Sequence, residues 1–200
     1  MRTRVLNTIG RLLLVSALAL PMTTFAAPTV STTGGQTTVQ LSPTFTGALA
    51  SLGVAASASY PARLSGAVAA LPIPTGEIDL GTVKGEIVHD GGLNLIAGAR
   101  RVNISSFVID TTGPSPVLTG LVKVDDTLLG RLNLFDLTPT SAPQVNRSAY
   151  AGKLRLSGVQ AKLAADAAAA LNSVFNVSAF APGLPIGVAS VDTSFIEPDR

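Results

Sequence analysis

The stretch LVKVDDTLLGRLNLF, residues 121–135, carries the clearest structural signal in this sequence. Two segments in which apolar residues largely alternate with polar or small ones flank the acidic pair Asp125-Asp126. A period of two is typical of a strand that buries one face, and acidic residues between two such segments indicate a turn. The stretch therefore predicts a β-hairpin that turns at Asp125-Asp126.

The same period extends outward along most of the chain. It is found at residues 77–81, 102–109 and 150–163, where Gly158 indicates a β-bulge, and less regularly at 186–196. Short strands separated by turn signals every 8–12 residues are typical of β-sandwiches and barrels. We therefore predict a mainly β fold, a single antiparallel sandwich or partly open barrel of about eight to ten strands.

One segment breaks this pattern. Residues 164–175 are rich in alanine, place Leu171 and Val174 at helical spacing, and carry Asp166 in the first turn. These features predict one short helix, packed on a face of the sheet. Residues 41–71 alternate only weakly and are interrupted by prolines, so the pattern there favours no particular element.

The first residues have the composition of an export signal. Three arginines within the first eleven residues precede an apolar run at 12–20, and Thr24 and Ala26 supply small residues beyond it. This arrangement predicts a signal peptide over residues 1–26, cleaved after Ala26. The run has about half the ~20 residues that a membrane-spanning helix needs, so we expect no integral span in the mature chain.

The remainder is expected to be exported and bacterial in type, periplasmic or extracellular, because small eukaryotic secreted modules usually depend on disulfides and this chain has no cysteine. Residues 27–40 are uncharged and rich in Thr, Ser and Gly, which predicts a flexible lead-in before a single β-rich domain at 41–200. Beyond residue 26 there are 11 cationic and 12 acidic residues, a net charge of −1. The pI near 9.3 thus reflects the signal, and we expect no nucleic-acid partner.

Few residues could carry catalysis. The absence of cysteine excludes thiol nucleophiles and thiolate metal sites, and His89 is the only histidine. The sequence contains no G-x-S-x-G motif and no phosphate-binding loop, and the side chains of Asp125-Asp126 diverge in a turn. We therefore predict no enzymatic activity, no catalytic residues, no metal site and no obligatory cofactor.

One motif resembles a known family. HDGGLNL at residues 89–95, followed by VNI at 102–104, resembles a segment of the heme-transport-associated (HtaA-type) domains of secreted and surface bacterial proteins, over roughly residues 85–121. This resemblance implies a β-rich fold and a heme whose iron is bound by a tyrosine assisted by a histidine. His89 matches the family's histidine, and Tyr60 lies upstream, so the resemblance implies Tyr60 and His89 as heme-binding residues.

Three functions are open at this point. The first is an exported, non-catalytic protein with a binding or structural role, whose partner is an envelope component or a small apolar ligand. The second is a carrier of heme or of a small apolar ligand that uses Tyr60 and His89. The third is a fimbrial or adhesive subunit assembled by strand addition, with residues 37–41 as the donor strand.

Overall fold

The computed structural model describes residues 29–197, so the predicted signal peptide at 1–26 and its cleavage site at Ala26 lie outside the described residues. The described chain is mainly β, as the sequence predicts, and all paired strands are antiparallel. Its thirteen strands and two helices are β1 (Thr29–Leu41), α1 (Pro43–Ser51), β2 (Ala55–Ser59), β3 (Arg63–Ser65), β4 (Val68–Pro72), β5 (Thr75–Asp79), β6 (Gly85–Val88), β7 (Gly92–Ala97), β8 (Arg100–Asp110), β9 (Val117–Val124), β10 (Thr127–Thr138), β11 (Gln144–Arg147), β12 (Ala151–Leu163), α2 (Ala165–Phe175) and β13 (Pro185–Ile196).

Eight of these strands close a barrel in the order β1-β5-β6-β8-β9-β10-β12-β13, with β13 returning to β1. The β9–β10 hairpin turns at Asp125-Asp126, and β12 shifts register at Gly158, both as predicted. The inner face of each strand carries the apolar residues, which join in a large core cluster and a smaller one beside it. Closure satisfies the backbone groups that an open sheet would leave at its edges.

Two neighbouring barrel strands are each broken near the same level. β4 and β5 both pair with β1 and are separated at Ile73-Pro74, while β6 and β7 both pair with β8 and are separated at residues 89–91. The backbone N–H of Asp90 donates to the carbonyl of Pro72 across this double break. The short strands β2 and β3 extend the sheet beyond this break by pairing with β7 and β4, respectively.

The prediction of a flexible lead-in at residues 27–40 is wrong from Thr29 onward, because β1 occupies this segment. β1 pairs with β13 on one side and with β4 and β5 on the other. Its inner face includes Thr32 and Thr37, both of which are buried. Buried and exposed positions therefore alternate along β1, but apolar and polar residues do not. Gly35 is required by close approach, since a Cβ there would lie 2.2 Å from the backbone oxygen of Asp192.

Pairing of β1 on both sides also removes the donor strand of the strand-addition hypothesis. Residues 37–41 are bonded to β13 and most of them also to β4 within the same chain, so they complete this barrel rather than extend toward another subunit. A donor strand must leave its own sheet or be absent from it. The assignment of residues 37–41 as a donor is therefore wrong for this fold.

Helix α2 begins and ends within one residue of the prediction and covers one end of the barrel with Ala167, Ala168 and Leu171. A second helix, α1, was not expected from the weak alternation of residues 41–71. Its local signals are nevertheless present, because the Ser42 hydroxyl caps the N–H of Phe45 and Pro43 occupies the first turn. Neither helix is long and apolar enough to cross a membrane, and they are the only helices among residues 29–197.

Candidate functional site

The barrel encloses an apolar cavity, which we call the lumen cavity. Its volume is about 80 Å³, room for several water-sized groups. Eight-stranded barrels are just wide enough either to be filled by side chains or to hold one small ligand. Side chains and backbone from all eight barrel strands contribute to the wall, together with β4 and the adjoining loops: Thr37, Val39, Leu71, Ile78, Val83, Gly85, Ile87, His89, Ile109, Thr111, Pro116, Leu118, Phe135, Leu137, Pro139, Pro143, Leu154, Leu156, Val159, Ala161, Ala189 and Val191.

The few polar side chains in this wall are bonded within the protein. The Thr37 hydroxyl and Nε2 of His89 form a buried hydrogen bond of 2.7 Å. The Thr111 hydroxyl accepts from the N–H of Gly85 and donates to the carbonyl of Val83. The cavity therefore presents an almost wholly hydrocarbon surface, because the two threonine hydroxyls and Nε2 of His89 are engaged in internal hydrogen bonds.

His89 lies at the break between β6 and β7, held by the bond from its own backbone N–H to the carbonyl of Phe107. Its side chain is 1% exposed, and among residues 29–197 its Nδ1 has no hydrogen-bond partner. Burial lowers the pKa of the imidazole from 6.5 to about 4, although the carbonyl groups of Phe107 and Ile87 oppose this shift. His89 is therefore neutral at pH 7 and adds no charge to the cavity.

The two ends of the barrel are closed differently. Three loops, at residues 80–84, 111–116 and 139–143, contribute to the cavity wall at one end, which we call the loop end. At the other end, the helix end, α2 packs over the inner residues of β8, β9 and β10 and leaves a smaller apolar cavity of about 40 Å³ beneath it. The lumen cavity thus extends toward the loop end.

Tyr60 is placed differently from His89. Its side chain is 92% exposed, in the turn between β2 and β3, and it does not line the lumen cavity. The two residues nevertheless lie on touching segments: a Cβ on Gly91 would lie 2.4 Å from the backbone nitrogen of Ala62. The backbones of the two segments meet at the double strand break, while the Tyr60 ring points to solvent and the His89 ring points inward.

Asn94, in the HDGGLNL motif, holds the segment that carries Tyr60 against β7. Asn94 on β7 and Asn103 on β8 are cross-strand partners, and the Asn103 side-chain amide donates to Oδ1 of Asn94 at 2.9 Å. The Asn94 amide in turn donates to the Ser59 hydroxyl at 2.8 Å. Through Asn94 the motif connects the residue before Tyr60 to β7. His89, the first residue of the motif, lines the lumen cavity.

The fold is that of the HtaA-type domains, a conclusion that comes from solved structures. No protein-family model and no curated protein sequence matches the chain. The chain is similar to the C-terminal domain of HtaA from Corynebacterium glutamicum, with a TM-score of 0.62 and 16% identity over 83% of this chain and 99% of that one. It is also similar to the heme binding protein HtaB of the same organism, with a TM-score of 0.55 and 13% identity over 84% of this chain and 96% of that one.

The placement of His89 and of the two tyrosines shows whether the residues around the lumen cavity fit a heme. The resemblance implies a tyrosine that binds iron and a histidine that assists it, yet the group bonded to His89 is the hydroxyl of Thr37. Tyr60 and Tyr150, the only tyrosines of the chain, are 92% and 72% exposed and lie outside the cavity wall. The wall of the lumen cavity therefore contains no tyrosine and does not fit a heme, while heme binding by Tyr60 and His89 stays a prediction.

The cavity wall and the role of Thr37 do not follow from the sequence pattern. Inner positions of a barrel are read as core, and nothing in the sequence marks which of them enclose space. Thr37 had one available signal, since it precedes Val39 and Leu41 in an alternating run. That signal was obscured because the neighbouring inner positions of β1 include Thr32 and because Gly34-Gly35 reads as a linker.

Proposed function

We propose that this chain is an exported, non-catalytic carrier of a small apolar ligand. The observation that carries this proposal is the apolar lumen cavity inside a closed eight-stranded barrel. Binding sites for small molecules are concave and mostly apolar, and a barrel of this size that is not filled by side chains has room for a single small ligand. A carrier role is also consistent with the wall chemistry, because the hydroxyls of Thr37 and Thr111 are engaged in internal bonds rather than held ready for reaction.

The test is a titration of the purified chain, residues 27–200, with the neutral fluorophore N-phenyl-1-naphthylamine, which brightens in apolar surroundings. We expect a saturable signal with one site per chain and a rise in the thermal midpoint, because a ligand that binds only the folded state stabilises it. The unfolded chain in urea is the control for non-specific partition. Failure of this fluorophore, of dodecanoate and of hemin to bind at micromolar protein would contradict the carrier proposal.

Heme is a second candidate ligand, supported by the heme binding protein HtaB among the similar structures. Since the cavity wall does not fit a heme, such binding would take place on the outer surface, with the exposed phenol of Tyr60 as the iron ligand. Hemin added to the protein should then shift its Soret band, and Tyr60→Phe should abolish the shift. Tyr150→Phe is the matched control, because it removes the other exposed phenol. An unchanged spectrum in the parent protein would end the heme proposal.

The location is proposed from the sequence. We infer that residues 1–26 direct export and are removed after Ala26, so that the carrier works in the periplasm or outside a bacterial cell, where an envelope component is a further partner class. Expression in a bacterial host followed by mass measurement of the exported product tests this directly. A product that begins at Ala27 supports the proposal, and a product retained in the cytoplasm with an intact N-terminus contradicts it.

A further inference from the structure

We infer that the turn of the β9–β10 hairpin binds the surface of an anionic lipid bilayer. The proposed contact surface has an apolar part, the leucine tip, which is Leu128 and Leu129. Beside it lies the basic patch, which consists of four exposed cationic residues: Arg100, Arg101, Lys123 and Arg131. This inference goes beyond the carrier proposal and does not depend on what the barrel holds. It is supported by the exposure of both leucines, by the cations that border them and by the separation of charge along the barrel.

The leucine tip is exposed because of a β-bulge. Consecutive residues of a strand point to opposite faces of the sheet, so one of two adjacent leucines would ordinarily face the barrel interior. The pairing with β9 shifts register between Leu128 and Gly130, and Leu129 is the extra residue of this bulge. Leu128 and Leu129 are consequently 62% and 50% exposed. Exposed apolar surface bordered by polar residues is typical of contact sites for proteins or membranes.

Two cations of the basic patch lie on the same outer face as Leu128. Lys123 on β9 is the cross-strand partner of Leu128, so their side chains are neighbours on that face. Arg131 on β10 pairs with Leu121, which is two residues from Lys123 and therefore shares its face. The hydrogen bonds of the Arg131 guanidinium are to uncharged groups of β8 and β9, which leave its charge unneutralised.

Two arginines complete the patch where β8 begins. The Asp125 carboxylate accepts from the guanidinium of Arg100 at 3.0 Å and from the backbone N–H of Arg101 at 2.9 Å, which holds both residues beside the hairpin turn. Within the described part of the chain the Arg101 side chain forms no ion pair, and the exposed pair of Lys123 with Asp126 is long, at 3.6 Å. The four cations and two carboxylates leave a net charge of +2 around the leucine tip.

Charge is separated along the barrel. β8 begins with Arg100 and Arg101 and ends at Asp110, a distance of about 30 Å at ~3.3 Å per residue. Where β8 ends, at the loop end, four carboxylates and one ammonium give a net charge of −3: Glu77, Asp79, Glu86, Asp110 and Lys84. This distance is several times the ~8 Å over which physiological salt screens a charge, so the two ends respond separately to a charged surface. An anionic surface therefore attracts the hairpin turn and repels the loop end, which selects one orientation.

An anionic bilayer matches both parts of the contact surface. Its headgroups attract cations, and each Lys or Arg close to such a surface raises the affinity about fivefold. The boundary between headgroups and acyl chains takes up exposed apolar side chains, and burial of two half-exposed leucines raises the affinity at least about tenfold. A polyanion such as nucleic acid would pair with the cations but leave the leucines in water.

The experiment measures binding of the chain, residues 27–200, to lipid vesicles by cosedimentation. Vesicles of phosphatidylcholine with one third phosphatidylglycerol are compared with vesicles of phosphatidylcholine alone. We expect the parent to bind the anionic vesicles, with an affinity that falls between about 0.05 and 0.5 M NaCl as salt screens the cations. Leu128→Ser with Leu129→Ser should weaken binding at least about tenfold, and Arg101→Gln with Lys123→Gln should weaken it roughly 25-fold.

Matched controls remove the same chemistry from other strands. Val188→Ser with Ile196→Ser removes two exposed apolar side chains of β13, and Lys153→Gln with Lys162→Gln removes two exposed cations of β12. Both should bind within about twofold of the parent, since these residues lie outside the contact surface. The thermal midpoint of every variant checks that it is folded.

A fluorescence readout locates the contact. The chain has no tryptophan, so Leu129→Trp places a single fluorophore in the leucine tip, and Val188→Trp places one at a control position. With anionic vesicles, the emission of the first should move to shorter wavelength and be quenched by brominated acyl chains. The emission of the second should stay unchanged.

Several results would overturn this inference. They are failure of the parent to bind anionic vesicles at low salt, equal binding to neutral and anionic vesicles, and equal binding by the parent and either folded variant of the contact surface. A dimer, detected by light scattering, that dissociates when both leucines are replaced by serine would also overturn it, because the tip would then cover a second copy of this chain. The carrier proposal is tested separately, by the fluorophore titration.

Discussion

The two ends of the barrel have different means of closure. At the helix end, α2 buries Leu171, and the Asn172 side chain holds the backbone of Phe180 by accepting from its N–H at 3.0 Å and donating to its carbonyl at 2.7 Å. At the loop end, three connections made largely of exposed polar and proline residues border the lumen cavity. The difference indicates that packing at the helix end stabilises the barrel, whereas at the loop end exposed connections border the lumen cavity.

The largest effect is expected at the helix end. Leu171→Ala removes a buried side chain beside the smaller cavity, and we expect it to lower the free energy of unfolding by about 2–5 kcal/mol. Urea denaturation followed by circular dichroism measures this change. Leu129→Ala, at an exposed leucine near the β9–β10 turn, is the matched control and should change stability by less than ~0.5 kcal/mol. Equal losses in the two variants would contradict a packed helix end.

The second prediction concerns the pH dependence of stability, which reports whether His89 is shielded from water. Because burial lowers the pKa of His89 to about 4, the unfolded state binds a proton below pH 6.5 that the folded state does not bind. Stability is therefore unaffected by His89 above pH 6.5, falls as the pH decreases from 6.5 to 4, and loses about 3 kcal/mol in total. Urea unfolding at pH 7.5, 5.5 and 4.5 should show this slope.

His89→Gln should flatten the slope, since it removes the titrating group and keeps a hydrogen-bonding side chain. Hydrogen bonds already lower the pKa of three carboxyl groups, at Asp79, Asp110 and Asp125, so these lose stabilisation only below the pH range considered. A slope that persists in His89→Gln would place the pH dependence elsewhere. No slope in the parent would mean that water reaches the imidazole through the loop end.

A smaller effect is expected for the clamp made by Asn172. Asn172→Ala removes both hydrogen bonds to the backbone of Phe180 and leaves those groups partly buried, so we expect a loss of about 1–3 kcal/mol. Asn172→Asp keeps the oxygen that accepts from the N–H of Phe180 and should recover part of this loss. Thermal denaturation of the two variants measures these losses of stability. Equal losses in both would contradict a role of the hydrogen bonds and would indicate that the side chain contributes only by packing.

The smallest effect is expected at the loop end. Pro139→Ala changes an exposed residue on the border of the cavity, and we expect the free energy of unfolding to change by less than ~1 kcal/mol. Because the substitution frees the loop backbone, association and release of N-phenyl-1-naphthylamine, measured by stopped flow, should accelerate. A destabilisation as large as that of Leu171→Ala would show that both ends close by packing.

The sequence predicts those elements in which the buried positions are occupied by apolar residues. The β9–β10 hairpin, the bulge at Gly158 and helix α2 follow from local patterns, and each is found in the structure. β1 was not predicted because its buried positions include Thr32 and Thr37, which are polar in composition but bonded or enclosed in the fold. Hydropathy alone does not distinguish such a strand from a linker.

The candidate site was less accessible to sequence reasoning than the fold. His89 was identified, but its partner Thr37 lies 52 residues away and meets it only when β1 and the β6–β7 break are brought together by barrel closure. Only its place upstream in the chain points to Tyr60 in the sequence, whereas the direction of its side chain is set by the turn between β2 and β3. A cavity is a property of curvature and closure, which no local pattern records.

The pairing of β1 with β13 has a consequence for the order of folding. Closure joins the first described strand to the last, and the Thr193 hydroxyl donates to the carbonyl of Gly34 across 159 positions of sequence. Contacts this distant must wait for the whole chain and for the entropy of closing a long loop, so barrel formation is expected to be late and slow. A chain whose synthesis has not yet reached β13 cannot close the barrel, because β13 is the strand that pairs with β1. This topology is compatible with the export proposed above, in which an unfolded chain crosses a membrane and its barrel closes on the far side.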